Sequence, residues 1–140
     1  MKSKRDSGTA LFLMEMIAVV CFFILCASVC ILVFVRANNL SRLAKDTNYA
    51  SLAAESVAEI WKAEDTGGLK DRLLMSGDQS TGVIYWDSVW SPVPEKEEAE
   101  YGGQVDMTAE GRVGEARIRV WRLEDDVELF VLTAKRILRE

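Results

Sequence analysis

The chain has 140 residues, a formal net charge of −5 and no histidine. This length allows one domain beside a membrane segment, and the acidic balance argues against a nucleic-acid partner, which would select a basic surface. Because histidine is the commonest metal ligand and general base, its absence weighs against catalysis. We expect no enzymatic activity, no metal site and no cofactor.

An apolar segment, Leu11 to Val35, begins shortly after the N-terminus, and its last twenty residues carry no charged group. Twenty helical residues span about 30 Å, the thickness of a bilayer's hydrocarbon core. Three basic residues precede the segment: Lys2, Lys4 and Arg5. The positive-inside rule then predicts a cytoplasmic N-terminus and an extracellular or periplasmic C-terminal domain. The segment is longer than the apolar part of a cleaved secretory signal, and no A-x-A site follows it, so we interpret it as a retained single-pass anchor.

Beyond Arg36 the helical period continues, but only on one face. Apolar and small residues recur at spacings of three and four: Leu40, Leu43, Thr47, Ala50, Ala54, Val57 and Trp61. No proline or glycine occurs between Thr9 and Thr66. The pattern predicts one continuous helix over about residues 10–63, ended by Gly67-Gly68. Its amphipathic stripe could cover the protein's own sheet or pack helices between subunits.

The remaining chain is typical of short β-strands separated by turns. The predicted strands are Thr81–Trp86, Gln104–Ala109, Arg117–Leu123 and Val127–Ala134. Gly102-Gly103 is interpreted as the end of a solvated acidic loop, and residues 124–126 as a hairpin turn. Short connections favour an antiparallel meander of about four strands. We therefore predict an α+β fold in which the long N-terminal helix packs its amphipathic half on this sheet.

Two acidic segments, residues 95–100 and 124–126, are candidate calcium ligands by composition. Neither has the alternating ligand spacing of a calcium loop, so both are interpreted as solvated charge.

The N-terminal sequence MKSKRDSGTALFLMEMIAVV resembles the class III signal of type IV pilins and type II secretion pseudopilins. In that family a short basic leader ends in glycine, and an apolar helix with one early glutamate follows. The resemblance implies a leader at 1–8, a transmembrane half of the helix at 9–36, an amphipathic half at 37–66 and a β-sheet headgroup at 67–140. It also implies that a prepilin peptidase cuts after Gly8, which leaves Thr9 as a methylated N-terminus.

Glu15 departs from the family pattern. In the family this glutamate is the fifth mature residue and pairs with the N-terminal amine of a neighbouring subunit, whereas after a cut at Gly8 it is the seventh. Two residues turn a helix by about 200°, which points the carboxylate elsewhere. A cut after Ala10 would restore the fifth position. Both registers remain open, as does a simpler role in which Glu15 marks the edge of the membrane.

The function implied by the resemblance is that of a pilin-like or pseudopilin subunit, of minor type, in a fibre. The implied partners are other pilin-like subunits, a prepilin peptidase, an inner-membrane assembly platform and the lipid bilayer. In this setting Lys2, Lys4 and Arg5 either orient the chain or are recognised by the peptidase. The alternative is a single-pass anchored protein whose extracellular β-module binds or scaffolds an envelope partner.

Overall fold

A computed structural model describes the backbone of residues 2–139 and the side chains of residues 7–139. The helix α1 runs Lys2–Leu73, and six strands follow: β1 Ser76–Gly77, β2 Thr81–Trp86, β3 Pro92–Val93, β4 Tyr101–Glu110, β5 Val113–Arg122 and β6 Glu128–Ile137. A single 3-10 turn, Lys96–Glu98, lies in the acidic loop. Contacts divide the chain into two compact units, Met1–Arg42 and Leu43–Glu140.

The predicted fold class is confirmed: a long N-terminal helix whose second half packs on an antiparallel sheet. The sheet order is β1-β2-β4-β5-β6, with β3 also pairing with β2, and every pairing is antiparallel. The four predicted strands are β2, β4, β5 and β6. β1 and β3 are two-residue additions at the outer side of β2. β6, ten residues long, forms the opposite edge of the sheet.

The prediction that Gly67-Gly68 end the helix is wrong in its position. The helical backbone breaks at Asp65, whose φ of 62° and ψ of −157° belong to a region that side chains strongly disfavour, and it resumes through Leu73. Gly68 is helical, and a Cβ there would lie 2.5 Å from Cβ of Glu64. The glycine therefore permits the close approach that follows the break.

The core of the second unit lies between α1 and one face of the sheet. The helix contributes small side chains and one large one: Ala50, Ala54, Val57, Ala58 and Trp61. The sheet contributes buried residues such as Ile84, Val105 and Ile118, all fully buried. Small residues let the helix approach the sheet closely, and Trp61 fills the remaining space. Of the predicted stripe, Leu40 and Leu43 are instead exposed, at 66% and 38%.

Gly102 and Gly103, predicted to end a loop, lie inside β4. A Cβ at Gly103 would lie 2.6 Å from Cζ3 of Trp86, and one at Gly102 would lie 3.0 Å from the indole of Trp121. The two glycines therefore make room for a tryptophan on each face of the sheet. Trp121 lies on the face opposite to Trp86 and is only half-buried, whereas its chain neighbour Val120 is fully buried.

Candidate functional site: the exposed N-terminal helix

The first unit presents an uninterrupted apolar surface. From Leu11 to Val35 every side chain is exposed, including Phe12 at 62%, Phe23 at 70% and Phe34 at 75%. By length and composition, the described part of α1, Ser7–Leu73, contains a segment that is able to cross a membrane. Exposed apolar area of this size is unfavourable in water and favourable in a lipid or a helical partner.

The residues implied in processing lie on this helix. Gly8 is helical, and a Cβ built there meets nothing within 4 Å. Thr9 is exposed and takes part in a local polar contact. The backbone of Lys2, Lys4 and Arg5 belongs to α1, whereas their side chains lie outside the part of the chain whose side chains are described.

Glu15 is exposed on the apolar surface. Among side chains 7–139 the structure gives it no hydrogen bond and no ion pair, so nothing within that part of the protein neutralises its carboxylate. A charged side chain near a bilayer's centre costs roughly 2.5–3.5 kcal/mol, and less toward the edge. Along the helix, Glu15 lies about 9 Å from Thr9 and about 6 Å from Leu11.

A buried polar cluster, which the sequence pattern does not predict, holds the start of the second unit to the sheet. Asp46, placed on the polar face of the helix by its pattern, is only 6% exposed. The Tyr101 hydroxyl donates to its Oδ1 at 3.1 Å, and Nη1 of Arg122 lies 3.2 Å from its Oδ2. That second contact is an ion pair without the alignment of a hydrogen bond, since Oδ2 accepts none. Burial, together with the bond to Asp46, raises the pKa of Tyr101 to about 12.

The same cluster is closed by aromatic rings. The Trp90 ring stacks on Tyr101 with centroids 3.9 Å apart and an angle of 15° between planes. Tyr49 of the helix lies on its other side, at 6.4 Å. Trp90 has a φ of 62°, an uncommon value for a residue with a large side chain, and Asp87 accepts backbone hydrogen bonds from Val89 and Ser91 around it. The loop therefore packs the Trp90 ring against Tyr49 of the helix and Tyr101 of β4.

A second set of contacts, made by Arg136 of β6, stabilises α1 at its break. Nη1 of Arg136 donates to the carbonyl of Trp61 at 2.7 Å, and Nη2 lies 2.7 Å from Oδ1 of Asp65. The guanidinium also lies 4.5 Å above the Trp61 ring. Arg136 thus satisfies a carbonyl at the end of the first helical segment and holds the strained residue in place. A cleft of about 380 Å³ opens beside it, lined by Trp61, Asp65 and Met107 among others.

No cluster of three or more metal-ligating side chains occurs within residues 7–139. The three cysteines, Cys21, Cys26 and Cys30, are free thiols on the exposed apolar helix.

Comparison with family models, with curated proteins and with solved structures returned no match.

Proposed function

We propose that this chain is a pilin-like or pseudopilin subunit, inserted as a membrane anchor and then assembled into a fibre by packing of its N-terminal helix. The observation that carries the proposal is the architecture of α1. One helix has an apolar first part exposed on all sides and a second part that buries its stripe on an antiparallel sheet. The pilin-like family that the N-terminal sequence resembles has the same arrangement, in which one helix continues from the membrane into a β-sheet headgroup.

The apolar surface of residues 11–35 supports assembly because either lipid or neighbouring helices can cover it. Before assembly the bilayer covers residues 11–35, and in a fibre neighbouring helices would replace the lipid. Small side chains at Ala18, Ala27 and Ser28 allow close approach of helices. The Ser28 hydroxyl donates to the Ile24 carbonyl at 2.8 Å, so it brings no unpaired donor to such an interface.

Glu15 supplies the second part of the proposal. The N-terminal amine of a neighbouring subunit would neutralise its carboxylate and set the axial offset between subunits. A mature N-terminus at Thr9 requires an offset of about 9 Å, and one at Leu11 requires about 6 Å. The cleavage register therefore decides the rise of the fibre.

Mass spectrometry of the N-terminus tests the proposal, with the full chain expressed in cells that contain a prepilin peptidase. We expect a mature chain beginning at Thr9, or at Leu11, with one added methyl group. In cells without the peptidase the chain should keep residues 1–8. An intact N-terminus in both strains would overturn the proposal and favour the anchored envelope module, whose helix needs no processing.

Gly8→Leu sharpens this test. The position faces open space, so the larger side chain is accommodated by the fold while it changes the residue at the cleavage site. We expect the cleavage that leaves Thr9 as the N-terminus to fall sharply. Gly67→Leu is the matched control, because a Cβ at Gly67 also meets nothing within 4 Å. Processing of this control should equal that of the original chain.

A further inference from the structure

The face of the sheet that points away from the helix carries a second feature, independent of the proposed fibre. Strand register places Tyr85, Gly102, Trp121 and Glu128 in one row across β2, β4, β5 and β6. Their chain neighbours Trp86, Tyr101 and Val120 are buried in the core. Because side chains alternate along a strand, the row lies on the opposite, uncovered face.

Trp121 lies flat on this face. A Cβ at Gly102 would come within 3.0 Å of Cε2 and Cζ2 of the indole, so the ring covers the bare backbone of its cross-strand neighbour. The Trp121 side chain is half-buried. One ring face is therefore occupied by the sheet, and the rest remains available to a ligand. Packing of an aromatic ring over a strand glycine explains the position of the ring, but not the polar side chains collected around it.

Those polar side chains line a cleft of about 270 Å³, just below the usual size of small-molecule pockets. Its lining consists of Gln104, Arg119, Trp121, Asp126 and Glu128. Nη2 of Arg119 lies 3.3 Å from Oε2 of Glu128. Gln104 Nε2 donates to Asp106 at 2.9 Å, which directs its amide along the sheet. The cleft thus offers donors and acceptors beside one aromatic face.

Asp126 is held at the rim by the β5–β6 turn. Its φ of 53° is left-handed, a conformation that aspartate tolerates better than most residues. The preceding residue, Asp125, accepts from Nε of Arg122 at 3.1 Å and from the Val127 amide at 3.4 Å, which fixes the turn. Within residues 7–139 the Asp126 carboxylate has no hydrogen bond and no ion pair. It is an available acceptor.

The charges select the class of ligand. The lining holds one guanidinium and two carboxylates, so an anion meets net repulsion. A cation would be attracted to Asp126, but it could use neither the Arg119 nor the Gln104 donors and would compete with Arg119 for Glu128. A neutral ring with hydroxyl groups on its edge and C–H groups on its face uses every part of the cleft.

We propose that this cleft binds a neutral saccharide ring. The C–H face of the sugar packs on the Trp121 indole. Its hydroxyls donate to the carboxylates of Asp126 and Glu128 and accept from Arg119 and Gln104. A single ring in an open cleft of this size binds with a dissociation constant in the millimolar range.

Saturation-transfer NMR on the full chain in nanodiscs, prepared without sugar-containing detergents, tests the proposal. The probes share one pyranose skeleton and differ in charge: glucose and N-acetylglucosamine are neutral, glucosamine is cationic and glucuronate is anionic. We expect saturable transfer from the protein to at least one neutral sugar, at lower concentration than for either charged one. No saturable transfer to the neutral sugars, or tighter binding of glucosamine or glucuronate, overturns the proposal.

Variants locate the binding. Trp121→Ala should weaken it about tenfold or more, and Asp126→Gly about fivefold, since glycine removes the carboxylate and suits the positive φ. Arg117→Ala is the control, because Arg117 is exposed and lies on the same face of β5 outside the cleft; it should bind within about twofold of the original chain. Asp126→Gly changes only an exposed turn, so it remains informative if Trp121→Ala fails to fold by circular dichroism. Unchanged affinity in a folded Trp121→Ala or Asp126→Gly variant contradicts the site.

Discussion

The helix α1 is apolar in two regions for different reasons. In residues 11–35 large side chains point in every direction, and Phe23 is 70% exposed. In residues 50–61 the apolar face is narrow and made of small residues, and Ala50 and Ala54 are fully buried. The first region needs an environment supplied from outside, whereas the second finds its environment in the sheet. Side-chain size and angular distribution, more than total hydrophobicity, distinguish a membrane surface from a domain core.

Of the substitutions that test this difference between the regions, Trp61→Ala should lower the free energy of unfolding the most. Trp61 is 3% exposed and contacts both the sheet and Arg136, so its removal leaves a cavity and should cost about 3–5 kcal/mol in the free energy of unfolding. Chemical denaturation of the full chain in nanodiscs, followed by far-ultraviolet circular dichroism, measures this loss.

Phe23→Ala is the matched control on the same helix. Phe23 contributes nothing to the core, so the unfolding free energy of the second unit should change by less than about 0.5 kcal/mol. Equal losses in the two variants would show that the distinction between the regions is mistaken.

Asp46→Ala should have the next largest effect. It leaves the Tyr101 hydroxyl without its acceptor and removes the buried ion-pair partner of Arg122. Arg122 keeps its contact with Asp125, so we expect a loss of about 2–3 kcal/mol in the unfolding free energy. Glu55→Ala, at an exposed position of the same helix, should change it by no more than about 0.5 kcal/mol. A neutral result for Asp46→Ala would mean that the cluster does not stabilise the attachment of the helix.

Asp65 provides the smallest expected effect and tests the break between the helical segments. Asp65→Gly and Asp65→Ala both remove the ion pair with Arg136, but only glycine relaxes at a φ of 62° and a ψ of −157°. The glycine variant should be more stable than the alanine variant by about 1 kcal/mol in thermal or chemical unfolding. The reverse order would indicate that the helix straightens through residue 65 in solution.

The main elements were predictable because each has a strong local pattern. The apolar run and the three-four spacing indicated the helix, and β-branched and aromatic residues gave Thr81–Trp86 with the bounds that the structure has. β4 and β5 begin earlier than predicted, because both strands contain glycines near their start: Gly102 and Gly103 in β4, and Gly114 in β5. Gly114 faces the Trp61 ring, which lies 3.5 Å from a Cβ built there. Whether a glycine marks a turn or a close contact depends on residues distant in the sequence.

The polar cluster shows what a single pattern misses. Asp46 falls off the apolar stripe, so the pattern places it on the polar face of the helix. The sequence feature that could have predicted the buried ion pair lies in β5, where strict alternation places Arg122 on the same face as Ile118 and Val120. A cation on the buried face requires anions nearby, and Asp46 of the helix and Asp125 of the β5–β6 turn supply them. The cleft around Trp121 was not predicted either, because cross-strand register brings its residues together.

The edge of β6 that pairs with no other described strand could allow the sheets of two molecules to associate. A ten-residue strand with one unpaired side offers backbone donors and acceptors to any extended chain, and half-buried Phe130 and Leu132 would strengthen such a contact. Two features work against it: an irregularity in register at Val120/Trp121, and the exposed, charged side chain of Lys135 near the strand's end. A charged side chain on an edge strand disfavours pairing with another strand. In the assembly proposed above, these features would help to keep the sheets of neighbouring subunits from aggregating.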